Sequence, residues 1–301
     1  MREGLASEFP AAARAAAWTR GRAGGRRPAL RTEPILWATV SGIGAGFLLG
    51  ALAQALVALA SEALQALRGP MPTLFPLVII AGNAAAAAVA LSVGGLRALA
   101  LYLAYVAFGL ALGIPGVMLF CERSGGTGFT PLLGPSQCTV PGFVVSLWPQ
   151  LIGIGLGIAL SRAITARGDG INGVLRIAGG YAVAQFVVNH VWAATAAQST
   201  NPLTSGLTLA AGMAAAAVAA GVIAAQLPGG VRNAAIVAGI WLTPWLVRQV
   251  AAAVESAGPT MPAEFAGVMM ITVVATPLAA TLLVLSAAIT SRARFIPRDT
   301  A

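Results

Sequence analysis

ILWATVSGIGAGFLLGALAQALVALA, residues 35–60, holds one threonine, one serine, one glutamine and no charge. At about 1.5 Å of rise per residue, a helix of that length exceeds the roughly 30 Å hydrocarbon layer of a bilayer. Similar runs recur along the chain. Of its 301 residues 58% are hydrophobic and only 9% charged, where a soluble domain carries about 25% charged residues. No water-facing surface can be built from that composition. The sequence therefore predicts an all-α, polytopic transmembrane helix bundle of about eight spans, over 35–60, 72–93, 98–120, 142–160, 171–196, 203–226, 233–253 and 265–290. Proline, glycine, arginine or polar residues punctuate each junction.

Charge sets the expected orientation. Every one of the 18 basic residues is arginine, so lysine chemistry such as a Schiff base is excluded. Arginine, alanine, glycine and proline without lysine is the product of GC-rich codons and suggests a bacterial source. Seven arginines lie in residues 1–34, a flexible basic tail in which residues 8–20 are read either as an interfacial helix or as unstructured. With that tail inside, Arg97, Arg162, Arg167, Arg176, Arg232, Arg292, Arg294 and Arg298 also face the cytoplasm. Only Arg68 and Arg123 fall outside, and Arg248 lies within the seventh span. This bias follows the positive-inside rule and places both termini, including the tail at 291–301, on the cytoplasmic side of a cell membrane. The net charge of +9 is thus assigned to topology and lipid contact rather than to nucleic acid.

The two cysteines, Cys121 and Cys138, bracket the longest loop, which this topology places on the outer face. A disulfide is expected there, with two free thiols as the alternative.

Helices in lipid associate by close backbone approach, because lipid tails are as apolar as leucine. Gly42, Gly46 and Gly50 in the first span, Gly109 and Gly113 in the third, and Gly153 and Gly157 in the fourth mark packing faces. The stretches LWATVSGIGAG (36–46) and LWPQLIGIGLG (147–157) also share Leu-Trp and Gly-Ile-Gly-x-Gly at one offset. The match does not extend to the second and fifth spans, so chance similarity between glycine-rich spans is preferred to an inverted repeat.

Polar residues in so apolar a chain are informative. QFVVNHVW, residues 185–192, puts Gln185, Asn189 and Trp192 on one helical stripe, with His190, the chain's single histidine, about 100° away. An unpaired amide in hydrocarbon costs several kcal/mol, so the stripe is expected to face the bundle interior, with Asn83, Gln54 and Gln150 as partners. Two readings are open: an interhelical hydrogen-bond clamp, or the polar wall of a cavity reachable from outside in which His190 titrates or holds a ligand. A metal site lacks a second ligand within the membrane, and no cofactor is implied. Arg248, near Pro244 and between Trp241 and the outer end of its span, is read either as snorkelling to headgroups or as an anion contact at a cavity mouth. Trp241 and Trp245 are expected at or near the interface.

None of the nine acidic residues falls within the core of a span, against proton- or sodium-pump chemistry and against paired-carboxylate catalysis. There is no GxSxG, HExxH or P-loop. Three functions stay in view: a transport or permease component for a small amphipathic or neutral solute, working without its own ATPase and with a separate ATPase as one conceivable partner; a structural or assembly subunit of a membrane-protein complex; and an intramembrane enzyme acting on a lipid or isoprenoid through His190, Asn189 and Arg248.

Overall fold

The computed structural model describes residues 32–66, 75–123, 147–162, 169–196, 202–254 and 263–293. The described residues form seven α-helices and no strand: α1 (Thr32–Ala66), α2 (Phe75–Arg123), α3 (Trp148–Leu160), α4 (Asp169–Ala196), α5 (Pro202–Ala224), α6 (Gly230–Val254) and α7 (Ala263–Ala293). Six are long and apolar enough to cross a membrane; α3, with 13 residues, reaches only about 20 Å. The chain is a helical membrane bundle.

The difference between seven helices and eight expected spans lies at Gly95, whose φ of +66° breaks α2 into arms 75–94 and 96–123. A residue with a side chain is strained at that φ, and glycine is not. The arms fold back on each other, because the Tyr102 hydroxyl donates to Asn83 Oδ1 at 2.7 Å. In a straight helix those residues would stand about 28 Å apart. The second and third expected spans are therefore the two arms of one hairpin with no loop between them.

Glycine positions decide how the helices meet. A Cβ built on Gly42 would lie 2.8 Å from the Ala86 carbonyl, and one on Gly46 would lie 2.7 Å from the Gly82 carbonyl, so α1 rides directly on the backbone of the first arm. From α3, Gly153 approaches the Ile80 carbonyl and the Asn83 Cβ, and Gly157 approaches Ala87 and Ala88. The matching glycines of the two similar stretches thus clasp the same alanine-rich segment, AGNAAAAAVA (81–90). Their shared pattern has a packing cause: a poly-alanine helix admits neighbours at backbone distance only where they too lack side chains.

Elsewhere the same rule applies. Gly44 meets Leu175 and Gly179 of α4, and Gly221 of α5 meets Leu283 and Ala287 of α7. Two buried clusters result, one around Ile177, Tyr181, Ala217, Val237 and Leu283, the other around Ala38, Ile43, Ala87 and Leu99. Outward-facing leucines such as Leu56, Leu96 and Leu151 are exposed, as a lipid-facing surface requires.

Candidate functional site

Between the two clusters lies a cavity of about 890 Å³. It is built from the latter half of α1 (Gly50, Gln54), the first arm of α2 (Gly82, Asn83), Tyr102 and Tyr105 of the second arm, and α4 (Gln185, Phe186, Asn189). Helices α6 and α7 complete the lining of this open cavity with Trp241, Pro244, Trp245, Gln249 and Thr276. The site occupies the half of the bundle in which α1, α4 and α6 end and α7 begins. Among the described residues its lining contains no Asp, Glu, Arg or His.

Gly50 has a different role from Gly42 and Gly46. A Cβ there would meet nothing within 4 Å, because the third glycine of the series faces the cavity rather than a helix. The GxxxG spacing alone does not distinguish the two uses.

The polar groups pair along helices more than between them. Tyr181 donates its hydroxyl to Gln185 Oε1 at 3.2 Å, and Gln185 Nε2 donates to Asn189 Oδ1 at 3.0 Å, a ladder with four-residue steps on α4. Tyr181 is buried, with its ring between Phe47 at 5.6 Å and Trp241 at 4.7 Å. Asn83 is satisfied twice: Nδ2 donates to the Ile79 carbonyl at 2.8 Å, and Oδ1 accepts from Tyr102. The expected bonds from the Gln185 stripe to Asn83, Gln54 and Gln150 are not formed. Asn83 and Gln54 do share the cavity with Gln185 and Asn189, whereas Gln150 lies outside its lining, its buried Oε1 without a hydrogen-bond partner among the described residues.

His190 takes another course. Its Nδ1 is 2.7 Å from the Phe186 carbonyl one turn back, and its ring lies tilted at 43° against that of Phe186, centroids 4.1 Å apart. It does not line the cavity. Among the described residues no group of three His, Cys, Asp or Glu side chains could hold a metal ion. The side chains of Arg248 and Trp192, and residue Cys138 of the expected disulfide with Cys121, lie outside the described residues.

Sequence reasoning missed the aromatic walls. Trp241 and Trp245 turn inward: the first packs on Tyr181, and the indole of the second donates to the Val273 carbonyl at 2.9 Å. Proline causes this second contact. Pro277 lacks the N–H that would have bonded the carbonyl four residues before it, and that carbonyl is Val273's. The Thr-Pro pair was legible in the sequence; the tryptophan that satisfies the freed carbonyl was not.

In the opposite half of the bundle, the Arg176 guanidinium lies 5.3 Å from the ring centroid of Trp37, a cation–π pairing, while its buried Nε has no hydrogen-bond partner among the described residues. Asn233, buried at the start of α6, donates Nδ2 to the Pro228 carbonyl at 3.2 Å, and its Oδ1 has no partner among the described residues.

Fold and site together define a multi-pass helical membrane protein with a cavity whose described lining is aromatic, amide-bearing and without formal charge. Comparison of the chain with protein-family models, with curated proteins and with solved structures finds no match.

Proposed function

We propose that the protein is a transport or permease component for a small amphipathic or neutral solute. One observation carries this reading: amides from α1, α2, α4 and α6 converge on a single cavity of ligand size in one half of a membrane bundle. In the orientation expected from the arginines, that half is the outer one, in a cell membrane with both termini in the cytoplasm and a Cys121–Cys138 disulfide on the outer face. The chain has no P-loop, so net movement follows a gradient or draws on a separate ATPase.

The test is flux through proteoliposomes holding the purified chain. Uptake of an uncharged solute by the native protein, lost in Gly50→Leu and kept in the outward-facing Gly155→Leu, supports the reading. Vesicles no more permeable than protein-free ones to every uncharged solute tried would remove it.

A structural or assembly role is the second reading, favoured by the extent to which Asn83 and Tyr102, and Gln185 and Asn189, already satisfy one another. It predicts a chain recovered from native membranes in a stoichiometric complex, with Gly50→Leu indifferent. No observation favours the enzyme reading, since His190 stands outside the cavity lining and is bonded to a backbone carbonyl.

A further inference from the structure

We infer that the cavity takes an uncharged, ring-bearing solute whose rim carries both hydrogen-bond donors and acceptors, the chemistry shared by nucleosides and monosaccharides. This rests on the cavity being a solute site, and it follows from which lining groups are already used.

Asn83 is spent, with its amide bonded at both ends. Gln185 is nearly so, since its oxygen accepts from Tyr181 and its nitrogen donates to Asn189. Among the described residues Gln54, Gln249 and the Tyr105 hydroxyl, by contrast, have no side-chain hydrogen bond, and Asn189 uses its oxygen but not its NH2. An unused primary amide offers donors and an acceptor together. It is matched by a ligand that does the same.

Each of the competing ligand classes fails on one count. An ionised solute would leave water for a lining whose described residues carry no formal charge, and aromatic faces offset only part of that desolvation for a cation and none of it for an anion. A purely hydrocarbon ligand would displace water from Gln54 and Gln249 and give them nothing to bond, which is the situation that makes polar sites reject apolar analogues. Ring faces suit the walls: the half-buried Trp241 and Trp245 on α6 and Tyr105 on α2 present aromatic surface, which stacks on a heterocycle or on the C–H face of a sugar.

Equilibrium dialysis of the purified full chain in detergent against radiolabelled adenosine, glucose, tetraethylammonium and benzoate tests this. Saturable binding of adenosine or glucose is expected, and which of the two binds identifies the source. Gln54→Leu and Gln249→Leu, close in volume to the residues they replace, should each raise Kd at least tenfold, while Gln150→Leu, outside the lining, should not. Tetraethylammonium or benzoate binding as tightly as the neutral rings, no saturable binding of either neutral ring, or an unchanged Kd in both glutamine variants would overturn the inference. Binding of a neutral ring without flux across vesicles removes transport and leaves this assignment standing. Flux of a charged probe does the opposite.

Discussion

Tyr102 and Asn83, nineteen positions apart on the two arms of α2 that meet at Gly95, are joined side chain to side chain at 2.7 Å. That bond pins the hairpin which gives the cavity two of its walls. Tyr102→Phe strands the Asn83 oxygen inside the bundle, and the expected cost is about 1–3 kcal/mol. Thermal unfolding in detergent should show a lowered Tm, partly recovered when Asn83→Leu is added, because replacing both partners by apolar groups removes the orphan. A double variant worse than the sum of the singles would contradict this pairing.

Gly95→Ala is expected to destabilise by about 1–2 kcal/mol, since a side chain at a φ of +66° meets the following carbonyl. Space is no obstacle there, as nothing lies within 4 Å of a Cβ at Gly95. The loss would therefore report backbone conformation alone. Gly155→Ala, helical, equally open and at negative φ, is the matched control and should be neutral or slightly stabilising.

Trp245→Phe leaves the Val273 carbonyl without its donor at a point where Pro277 has already removed the helical one. A loss of about 1–2 kcal/mol is expected in the native background. In a Pro277→Ala background the restored backbone N–H of residue 277 takes over, and the same tryptophan change should cost less. Equal losses in the two backgrounds would show that the indole bond has no such compensating role.

The three glycines of α1 should separate cleanly. Gly42→Leu and Gly46→Leu drive a side chain into the backbone of the first α2 arm and should abolish monodisperse protein on size exclusion. Gly50→Leu should give native yield and elution and fill the cavity instead. An aggregated Gly50→Leu would mean that this position is packed.

The loop disulfide is checked by reagent access. Cys121 and Cys138, the chain's two cysteines, should react with a membrane-impermeant maleimide on intact cells only after reduction. Labelling without reductant would show free thiols, and no labelling after reduction would place the loop on the other face or out of reach.

Much of the fold was legible because a bilayer imposes a one-dimensional code. Apolar length locates a helix whatever its neighbours do, so all eight segments, counting the two arms of α2, were read near their observed positions from hydropathy and breakers alone. The Gly42, Gly46 and Gly153, Gly157 spacings marked real contact faces for the same reason, since close approach in lipid has few solutions. Gln185, Asn189, Asn83 and Gln54 were legible as one polar group, because amides shun hydrocarbon, and all four line the cavity.

Only the tertiary structure decided what those residues do for one another. Helical periodicity fixes which residues share a face and says nothing of how far each helix is rotated or slid against the next. So the sequence could not tell that Gly50 opens onto space while Gly46 touches backbone, that Trp241 and Trp245 turn inward, or that Gln249 completes the wall begun by Gln54. It equally could not tell that Tyr102 would reach Asn83 and leave other amides unbonded. Those outcomes depend on side chains from separate helices competing for the same few partners, and that competition is settled only once the glycine contacts have set the distances between the helices.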